Sequence, residues 1–295
     1  MQNQPTVTLI IPVKNRPYLL KEALRSVLYG TILPQEIIIV LDGTQESNNV
    51  DQQAAESIWV EMKINSCQLT ILQGSNQGPA AARNLGAARS RTEWLTFLDS
   101  DDRWQPRKLE QQLQYMKKRP HLKASHCAEV WIKNNSEVKI PNRLRPSTGR
   151  LLSESFERCL VSVSSLLIQR SLFFILNGFQ TDLRVCEDYD FWIRTFLHHP
   201  IGLVPPNKDS IVEKYAGNWN QLSQTQNIDV YRVEVLLRIL ENHTLNSKDK
   251  KTAQNSLLKK WSIVTKQNQR FRFLSEYQLE ALKSRITAQT KLPKQ

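Results

Sequence analysis

Trp94-Leu95-Thr96-Phe97-Leu98-Asp99-Ser100-Asp101-Asp102-Arg103-Trp104 runs from five aromatic and β-favouring residues straight into three carboxylates spaced i, i+2, i+3. The pattern predicts a buried strand that ends in an acidic loop. In an open α/β sheet ligands gather beyond the carboxyl ends of the strands. A hard divalent cation with a phosphate substrate needs oxygen ligands there, which Asp99, Asp101 and Asp102 can supply. One of the three has an alternative role, because Asp102 can cap the helix expected to begin near Pro106. Capping leaves the other two unexplained. Close carboxylates repel by roughly a kcal/mol per pair in water, and by more when shielded from it, unless a cation or a proton offsets the repulsion.

Upstream of this loop the chain alternates. Val7 to Val13 is an apolar, β-branched run that stops at Lys14-Asn15-Arg16-Pro17, which predicts a first strand buried on both faces. Pro17 suits the first turn of a helix, Leu20, Ala23, Leu24, Val27 and Leu28 recur at helical spacing, and Gly30 can end it. Glu36 to Leu41 predicts a second strand that breaks at the Asp42-Gly43 turn, residues 49–64 a weakly patterned helix, and Leu69 to Leu72 a third strand. Asn76-Gln77-Gly78-Pro79 then opens an alanine-rich helix running to Gly86. Its small side chains permit close packing, its N-terminal amides can face an anion, and Arg83 lies on its second turn. After the acidic loop a strongly patterned helix is expected from Pro106 to Lys118. Short strands alternating with such helices imply a parallel sheet covered on both faces.

The middle of the chain carries weaker signals. Ala128 to Lys133 and Val161 to Ile168 read as strands, and Arg143 to Arg150 as a loop. Cys186-Glu187-Asp188-Tyr189-Asp190 is a second acidic turn, leading into a helix that ends by His199-Pro200. From Asp229 onward amphipathic helices are expected near residues 230–242, 249–268 and 275–288.

Composition narrows the classes. The formal charge is +12, from 40 basic and 28 acidic residues. The surplus is concentrated from Asp229 to Gln295, where fourteen Lys and Arg face six Asp and Glu, a net of +8. A near-balanced body with a basic tail argues against a nucleic-acid binder. Cys67, Cys127, Cys159 and Cys186 are widely spaced, with no C-x-x-C pair and no histidine at metal-ligand spacing, as expected for a reduced, cytoplasmic protein. Met1 to Thr6 is polar and runs directly into the first strand, so no signal peptide is expected. No apolar run approaches the about eighteen residues needed to span a bilayer.

Taken together, Thr8-Leu9-Ile10-Ile11-Pro12-Val13-Lys14-Asn15-Arg16, Ile37 to Gly43, Gly78 to Gly86, Phe97 to Trp104 with Pro106 and Leu109, Gly178-Phe179 and Glu187-Asp188-Tyr189-Asp190 resemble a family 2 glycosyltransferase of GT-A fold. The blocks stand in the family's order and approximate spacing. The resemblance implies an α/β, Rossmann-like architecture with a mostly parallel sheet flanked by helices and a helical C-terminal appendage. It covers residues 7 to about 225, dividing the chain into a glycosyltransferase domain over 1–225 and a basic helical region over 226–295. Within the domain a nucleotide-sugar half is expected over about 1–120 and an acceptor half over about 121–225.

By the same resemblance, Pro12, Val13 and Asn15 line the nucleobase pocket, Asp42 meets the base, and Arg83 approaches the nucleotide or diphosphate. Asp99, Ser100 and Asp101 match the family's D-x-D. Asp101 and Asp102 are the expected ligands of Mg²⁺ or Mn²⁺, and Asp188 matches the catalytic base. Beside the resemblance, Glu187 and Trp192 are candidates for acceptor contact, Glu187 having the alternative of capping the helix and Trp192 that of belonging to the core. The reaction implied is metal-assisted transfer of a sugar, with inversion, from a nucleotide-diphosphate-sugar, a UDP-sugar first among them. The acceptor would be a hydroxyl of a glycan or a lipid-linked glycan, in cell-surface glycan synthesis. Chemistry supports the roles independently: a departing diphosphate needs its charge stabilised, and the attacking hydroxyl needs a carboxylate to take its proton.

The chain also departs from the family. Lys14 stands where relatives often carry an aromatic residue, Leu41 precedes Asp42 where many have a second aspartate, and Asn218 stands where some carry a histidine. Two other classes share features of the sequence: a phosphohydrolase of the haloacid dehalogenase type, which also uses a strand ending in Asp-x-Asp, and a docking protein that keeps the fold without catalysis. In the tail, Leu257, Leu258, Trp261 and Val264 share one side of a helix whose other sides carry Lys250, Lys251, Lys259, Lys260 and Lys266. Such a helix either packs its apolar stripe on its own domain or lies peripherally on the inner face of a membrane.

Overall fold

Val7–Val13 (β1) and Glu36–Leu41 (β2) are continuous apolar runs, and every residue of both except Glu36 is buried. Strands buried on both faces require cover above and below, and the intervening segments supply it as helices. The computed structural model describes residues 5–142, 145–217 and 225–290. Between β1 and β2 lies α1 (Pro17–Leu28), entered through Pro17 and burying Leu20, Ala23, Leu24, Val27 and Leu28 as its spacing predicts. α2 (Gln45–Met62) starts four residues before the expected helix, because Thr44 caps it by accepting a hydrogen bond from the Ser47 amide.

β3 (Gln68–Gln73), α3 (Pro79–Arg89), β4 (Trp94–Phe97), β5 (Asp102–Trp104) and α4 (Lys108–Lys117) follow. Asp102 therefore opens a short strand and does not cap α4. The middle of the chain holds β6 (Ala124–His126), β7 (Glu129–Lys133), β8 (Ser136–Val138), α5 (Leu152–Glu157), β9 (Leu167–Gln169), α6 (Arg170–Ile175), α7 (Glu187–His198), β10 (Gly202–Leu203) and β11 (Val212–Ala216). The strand expected over Val161 to Ile168 is mostly absent. A 3-10 turn occupies Val163–Ser165, and only Leu167–Gln169 pairs as a strand.

Among the described residues the main sheet has the order β10-β6-β9-β4-β1-β2-β3. β1 pairs in parallel with β2 and β4, so the three carboxyl ends point the same way, side by side. β9 is the exception, antiparallel to both β4 and β6. Alternate residues serve opposite faces: Ile10, Ile38, Val40 and Phe97 join one apolar cluster, and Leu9, Ile11, Ile37, Ile39 and Leu41 the other. α3 presses so closely on β1 that a Cβ at Gly86 would lie 2.6 Å from the Ile10 side chain, which is why this helix carries glycine there. A smaller sheet, β5-β11-β7-β8, joins the residues just after the acidic loop to β11, over a hundred positions later.

The C-terminal helices α8 (Ile228–Asn242), α9 (Ser247–Phe271) and α10 (Glu276–Thr290) match the predicted series. Leu236, Leu257, Val264 and Ile286 are buried in the same cluster as Ile10 and Phe97, with Leu258 and Trp261 packed against it. The apolar stripe of α9 is thus packed on the chain's own core. Lys260 is buried with it, donating to the Glu157 carbonyl at 2.7 Å, while Lys250, Lys251, Lys259 and Lys266 stay exposed. Among the described residues no helix is long and apolar enough to cross a membrane.

Candidate active site

The carboxyl ends of β2, β1 and β4 form three adjacent corners. At the end of β1, Pro12 and Val13 are buried while Lys14 and Asn15 emerge into solvent. Asn15 turns the chain in the left-handed region, at φ 52°. The corner is held from below by Asp51 of α2, whose carboxylate accepts from the Asn15 amide at 2.7 Å and the Arg16 amide at 2.9 Å. Asp51 is fully buried; burial raises its pKa, and the two amides only partly counter this. Sequence reasoning passed over it. The signal was present, since Asn48, Asp51, Ala54, Ala55 and Ile58 share the buried face of α2.

At the end of β2, Asp42 is buried and accepts from the amides of Gln77 at 3.2 Å and Gly78 at 2.7 Å. It ties the β2 corner to the start of α3. Lys14 reaches across to Asn76, donating to its side-chain oxygen at 2.9 Å. Pro12, Val13, Asn15 and Asp42 therefore lie along one edge of the sheet, the arrangement expected from their strands.

The acidic loop after β4 distributes its carboxylates to three partners. Asp99 pairs with Arg83 at 2.6 Å, Asp101 with Arg16 at 3.1 Å, and Asp102 accepts from the Ser164 hydroxyl at 2.6 Å. Burial would raise Asp99, but Arg83, Lys214 and Arg16 outweigh it and hold its pKa below the ordinary value. Asp102 goes the other way. Burial, with Asp99 and Asp101 nearby, pushes it up to about 8 against the opposing pull of Lys214 and Ser164. The repulsion inherent in Asp-x-Asp-Asp is thus offset by Arg83 and Arg16, and what remains shows in the raised pKa of Asp102. Ser100 is buried between them.

Arg83 joins this loop to the second acidic turn, 2.8 Å from Glu187 at the start of α7. Burial disfavours its charge, yet Asp99 and Glu187 keep it firmly protonated. Glu187 is 6 % exposed, and burial raises its pKa despite Arg83. The Gly178-Phe179 block has a physical role here. Asn84 brackets Phe179 by accepting from its amide at 3.0 Å and donating to its carbonyl at 2.7 Å, and the ring lies 5.4 Å from the Arg83 guanidinium. Gly178 has φ 59°, and a Cβ there would stand 2.6 Å from the Asn84 oxygen.

Asp188 accepts from the Tyr189 amide at 2.7 Å and from the Cys159 thiol at 3.3 Å. Cys186, just before it, holds the left-handed conformation at φ 68°, ψ 19°, a strained setting for a non-glycine residue at a helix start. Trp192 is fully buried and donates from its indole to the Val161 carbonyl at 2.8 Å, so it is a core residue and offers no face to an acceptor. The expectation for Glu187 also needs correction, since its carboxylate is buried against Arg83.

One segment connects the two acidic motifs. Cys159 touches Asp188; Ser162 accepts from Lys214 Nζ at 3.2 Å; Ser164 both donates to Asp102 and accepts from the Asp99 amide at 3.1 Å. Lys214, on β11, was not foreseen as a site residue. Burial opposes its charge, but Asp102, Glu129, Asp99 and Asp188 together hold its pKa well above the ordinary value. Asn218 and the block through Ser223 lie outside the described residues.

Among the described residues no group of three or more His, Cys, Asp or Glu is arranged to hold a metal ion. Mg²⁺ does not need one, because it commonly binds through one or two carboxylates together with substrate phosphates. Asp101, partly exposed, fits that mode. Asp102, buried and hydrogen-bonded to Ser164, does not present its carboxylate in the same way.

Residues 8–171, more than half of the chain, match the sequence model of glycosyl transferase family 2. The chain belongs to that family. Among its relatives, an uncharacterized glycosyltransferase of Haemophilus influenzae is 30 % identical over 192 residues, 64 % of this chain and 61 % of that one. An uncharacterized glycosyltransferase of Rickettsia conorii is 28 % identical over 246 residues, 83 % of this chain but 38 % of that one. The chain thus spans less than two thirds of the length of these relatives. Among solved structures, residues 1–349 of S. aureus TarS in complex with UDP-GlcNAc superpose with a TM-score of 0.71 at 17 % identity, covering 97 % of this chain and 81 % of that one. The corresponding complex of TarS with UDP gives 0.68 at 16 % identity. These likenesses establish the fold, including the mostly parallel sheet and the helical C-terminal region.

Proposed function

We propose that the chain transfers a sugar from a nucleotide-diphosphate-sugar, a UDP-sugar in the first instance, to an acceptor hydroxyl with inversion at the anomeric carbon. One observation carries the reading: Arg83 bonds to Asp99 and to Glu187, so the D-x-D loop and the acidic turn holding Asp188 border one space. TarS, of the same fold, binds UDP-GlcNAc and UDP, which supports a uridine donor.

In this reading the nucleoside lies along the corners of β1 and β2, against Pro12, Val13, Asn15 and Asp42, with the diphosphate over Ser100 and Asp101. The acceptor oxygen attacks C1 as the bond from C1 to the phosphate oxygen breaks, and the electron pair of that bond leaves with the diphosphate. The hydroxyl proton passes to Asp188, whose carboxylate is steadied by the Tyr189 amide and the Cys159 thiol. A Mg²⁺ or Mn²⁺ held by Asp101 would supply Lewis-acid stabilisation of the departing charge. A single displacement with one base inverts the centre. Residues from about 121 to 225 would receive the acceptor, a glycan or lipid-linked glycan of the cell surface, with the protein working in the cytoplasm. With the stripe of α9 packed, its exposed lysines, together with Ile263, Arg270 and Phe271, are what that helix offers to a membrane's inner face.

The test is release of free nucleoside diphosphate from a panel of nucleotide-sugars with Mn²⁺, followed by NMR of the anomeric proton in the product. A product of opposite configuration to the donor is expected. Retention of configuration would rule out the single displacement, and release of inorganic phosphate from simple esters would favour phosphohydrolysis.

A further inference from the structure

Three cations border the space between the two acidic motifs, and two of them are already engaged. Arg83 is shared between Asp99 and Glu187, and Arg16 is paired with Asp101. Arg83 is the cation that sequence reasoning assigned to the nucleotide or diphosphate, yet its guanidinium is buried and bound on two sides. Lys214 differs. Among the described residues its ammonium makes one hydrogen bond, to the Ser162 hydroxyl at 3.2 Å, and no carboxylate lies within ion-pair distance. An ammonium has three N–H donors, so two remain.

Its position is set by the backbone. Lys214 stands directly opposite Asp102 in the antiparallel pair of β11 and β5, so the two side chains share a face of the smaller sheet. Arg103, Glu213 and Tyr215 occupy the other face, where the Arg103 guanidinium lies 4.4 Å from the Tyr215 ring. The lysine's partner Ser162 sits between Cys159, which touches Asp188, and Ser164, which touches Asp102 and the Asp99 amide. The ammonium therefore lies between the D-x-D loop and the residue assigned as base. In the proposed reaction a donor in this space has its C1 toward Asp188 and its leaving diphosphate toward the loop.

We propose that Lys214 binds the diphosphate of the donor, through the donors that its bond to Ser162 leaves over, and so supplies a fixed counter-charge to the leaving group. The assignment rests on the donor site proposed above. It gives the site a cation that needs no rearrangement of an existing ion pair.

The test is calorimetric titration of the full chain in EDTA. The probes are the nucleoside diphosphate, among UDP, GDP, CDP and dTDP, that the wild type binds most tightly, and the matching monophosphate. Lys214→Met should weaken the diphosphate by about tenfold to a hundredfold, the loss of one charge-assisted hydrogen bond, and leave the monophosphate within about twofold. Lys214→Arg should recover most of the difference. Monophosphate binding reports that the variant is folded. An unchanged ratio of the two affinities in Lys214→Met, or an equal loss of both, would overturn the assignment while leaving the donor site standing. A wild-type chain that binds none of the four diphosphates, either in EDTA or with Mn²⁺ restored, would overturn the donor site itself, and Lys214 with it.

Discussion

Replacing Arg83 with methionine keeps most of the side chain's volume and removes its charge from between two carboxylates. The Arg83–Glu187 contact, at 2.8 Å, is 5 % and 7 % exposed on its two sides, so its loss strands a carboxylate away from water. Breaking a pair this buried costs about 3–5 kcal/mol. Asp99 is 29 % exposed, and solvent screening holds its share to roughly 1 kcal/mol or less. A total near 4 kcal/mol corresponds, at about 2 °C per kcal/mol for a chain of this size, to a fall in Tm of about 8 °C. Glu187 supplies an internal check. Burial already raises its pKa above the unfolded value, and Arg83 opposes that rise. Without Arg83 the folded pKa climbs further, so the unfolded state holds fewer protons through the window above 4.5 and stability falls as pH rises. The deficit of Arg83→Met should therefore be smaller at pH 5 than at pH 8. Urea unfolding of wild type, Arg83→Met, Glu187→Gln and the double variant provides the assay, with an interaction energy of about 2 kcal/mol expected. A Tm within 2 °C of wild type, or strictly additive effects, would refute the claim that this ion pair joins the two acidic motifs.

Other perturbations have equally definite outcomes. Asp101→Ala should abolish the response of donor turnover to Mn²⁺ while moving Tm little, measured by nucleoside diphosphate release against metal concentration. Asp51→Asn should loosen the Lys14–Arg16 corner and weaken donor binding by about tenfold, the effect of degrading two hydrogen bonds to a charged acceptor, as read by titration calorimetry. Lys108 is fully buried, bonded to Thr96 at 3.2 Å and 3.7 Å from the Trp104 ring, and burial lowers its pKa to about 7. Above that pH the native lysine loses its proton while the unfolded one keeps it, so stability rises with pH. The advantage of Lys108→Met over wild type should narrow by about 1–2 kcal/mol from pH 7 to pH 8.5, followed by urea unfolding.

How far the sequence could be read depended on where the relevant information lies. β1 and β2 were legible to the residue because both faces of each are buried and the runs are unbroken. That they belong to one parallel sheet followed from the alternation of strands and helices, whereas their order, with β1 between β4 and β2, is seen only in the structure. β5 and β9 were not legible in this way. Each has three residues, and each is fixed by partners more than 40 to over 100 positions away, β11 for the first and β4 and β6 for the second. The serines at 162, 164 and 165 mislead a strand reading, because their side chains are spent on Lys214, Asp102 and the local backbone.

Of the candidate site, the sequence singles out the acidic loop and the acidic turn, but not Asp51 or the partners of these carboxylates. Periodicity marks Asp99, Asp101, Asp102 and Asp188 as polar interruptions, but nothing local shows that Arg83 bridges two motifs or that Lys214 returns from β11 to face Asp102. Trp192 could be read both ways, as a core residue or as an acceptor contact beside the acidic turn, and the hydrophobic core of α7 claims it completely.

The most direct test of the account measures nucleoside diphosphate release by wild type and Asp188→Asn under saturating donor and Mn²⁺, with donor affinity determined for both. The variant keeps the size of the side chain and cannot accept the proton. Release should fall by about a hundredfold to ten-thousandfold, the usual contribution of a general base, with donor affinity unchanged. Near-normal transfer by Asp188→Asn with intact donor binding would contradict the mechanism and remove Asp188 from its centre.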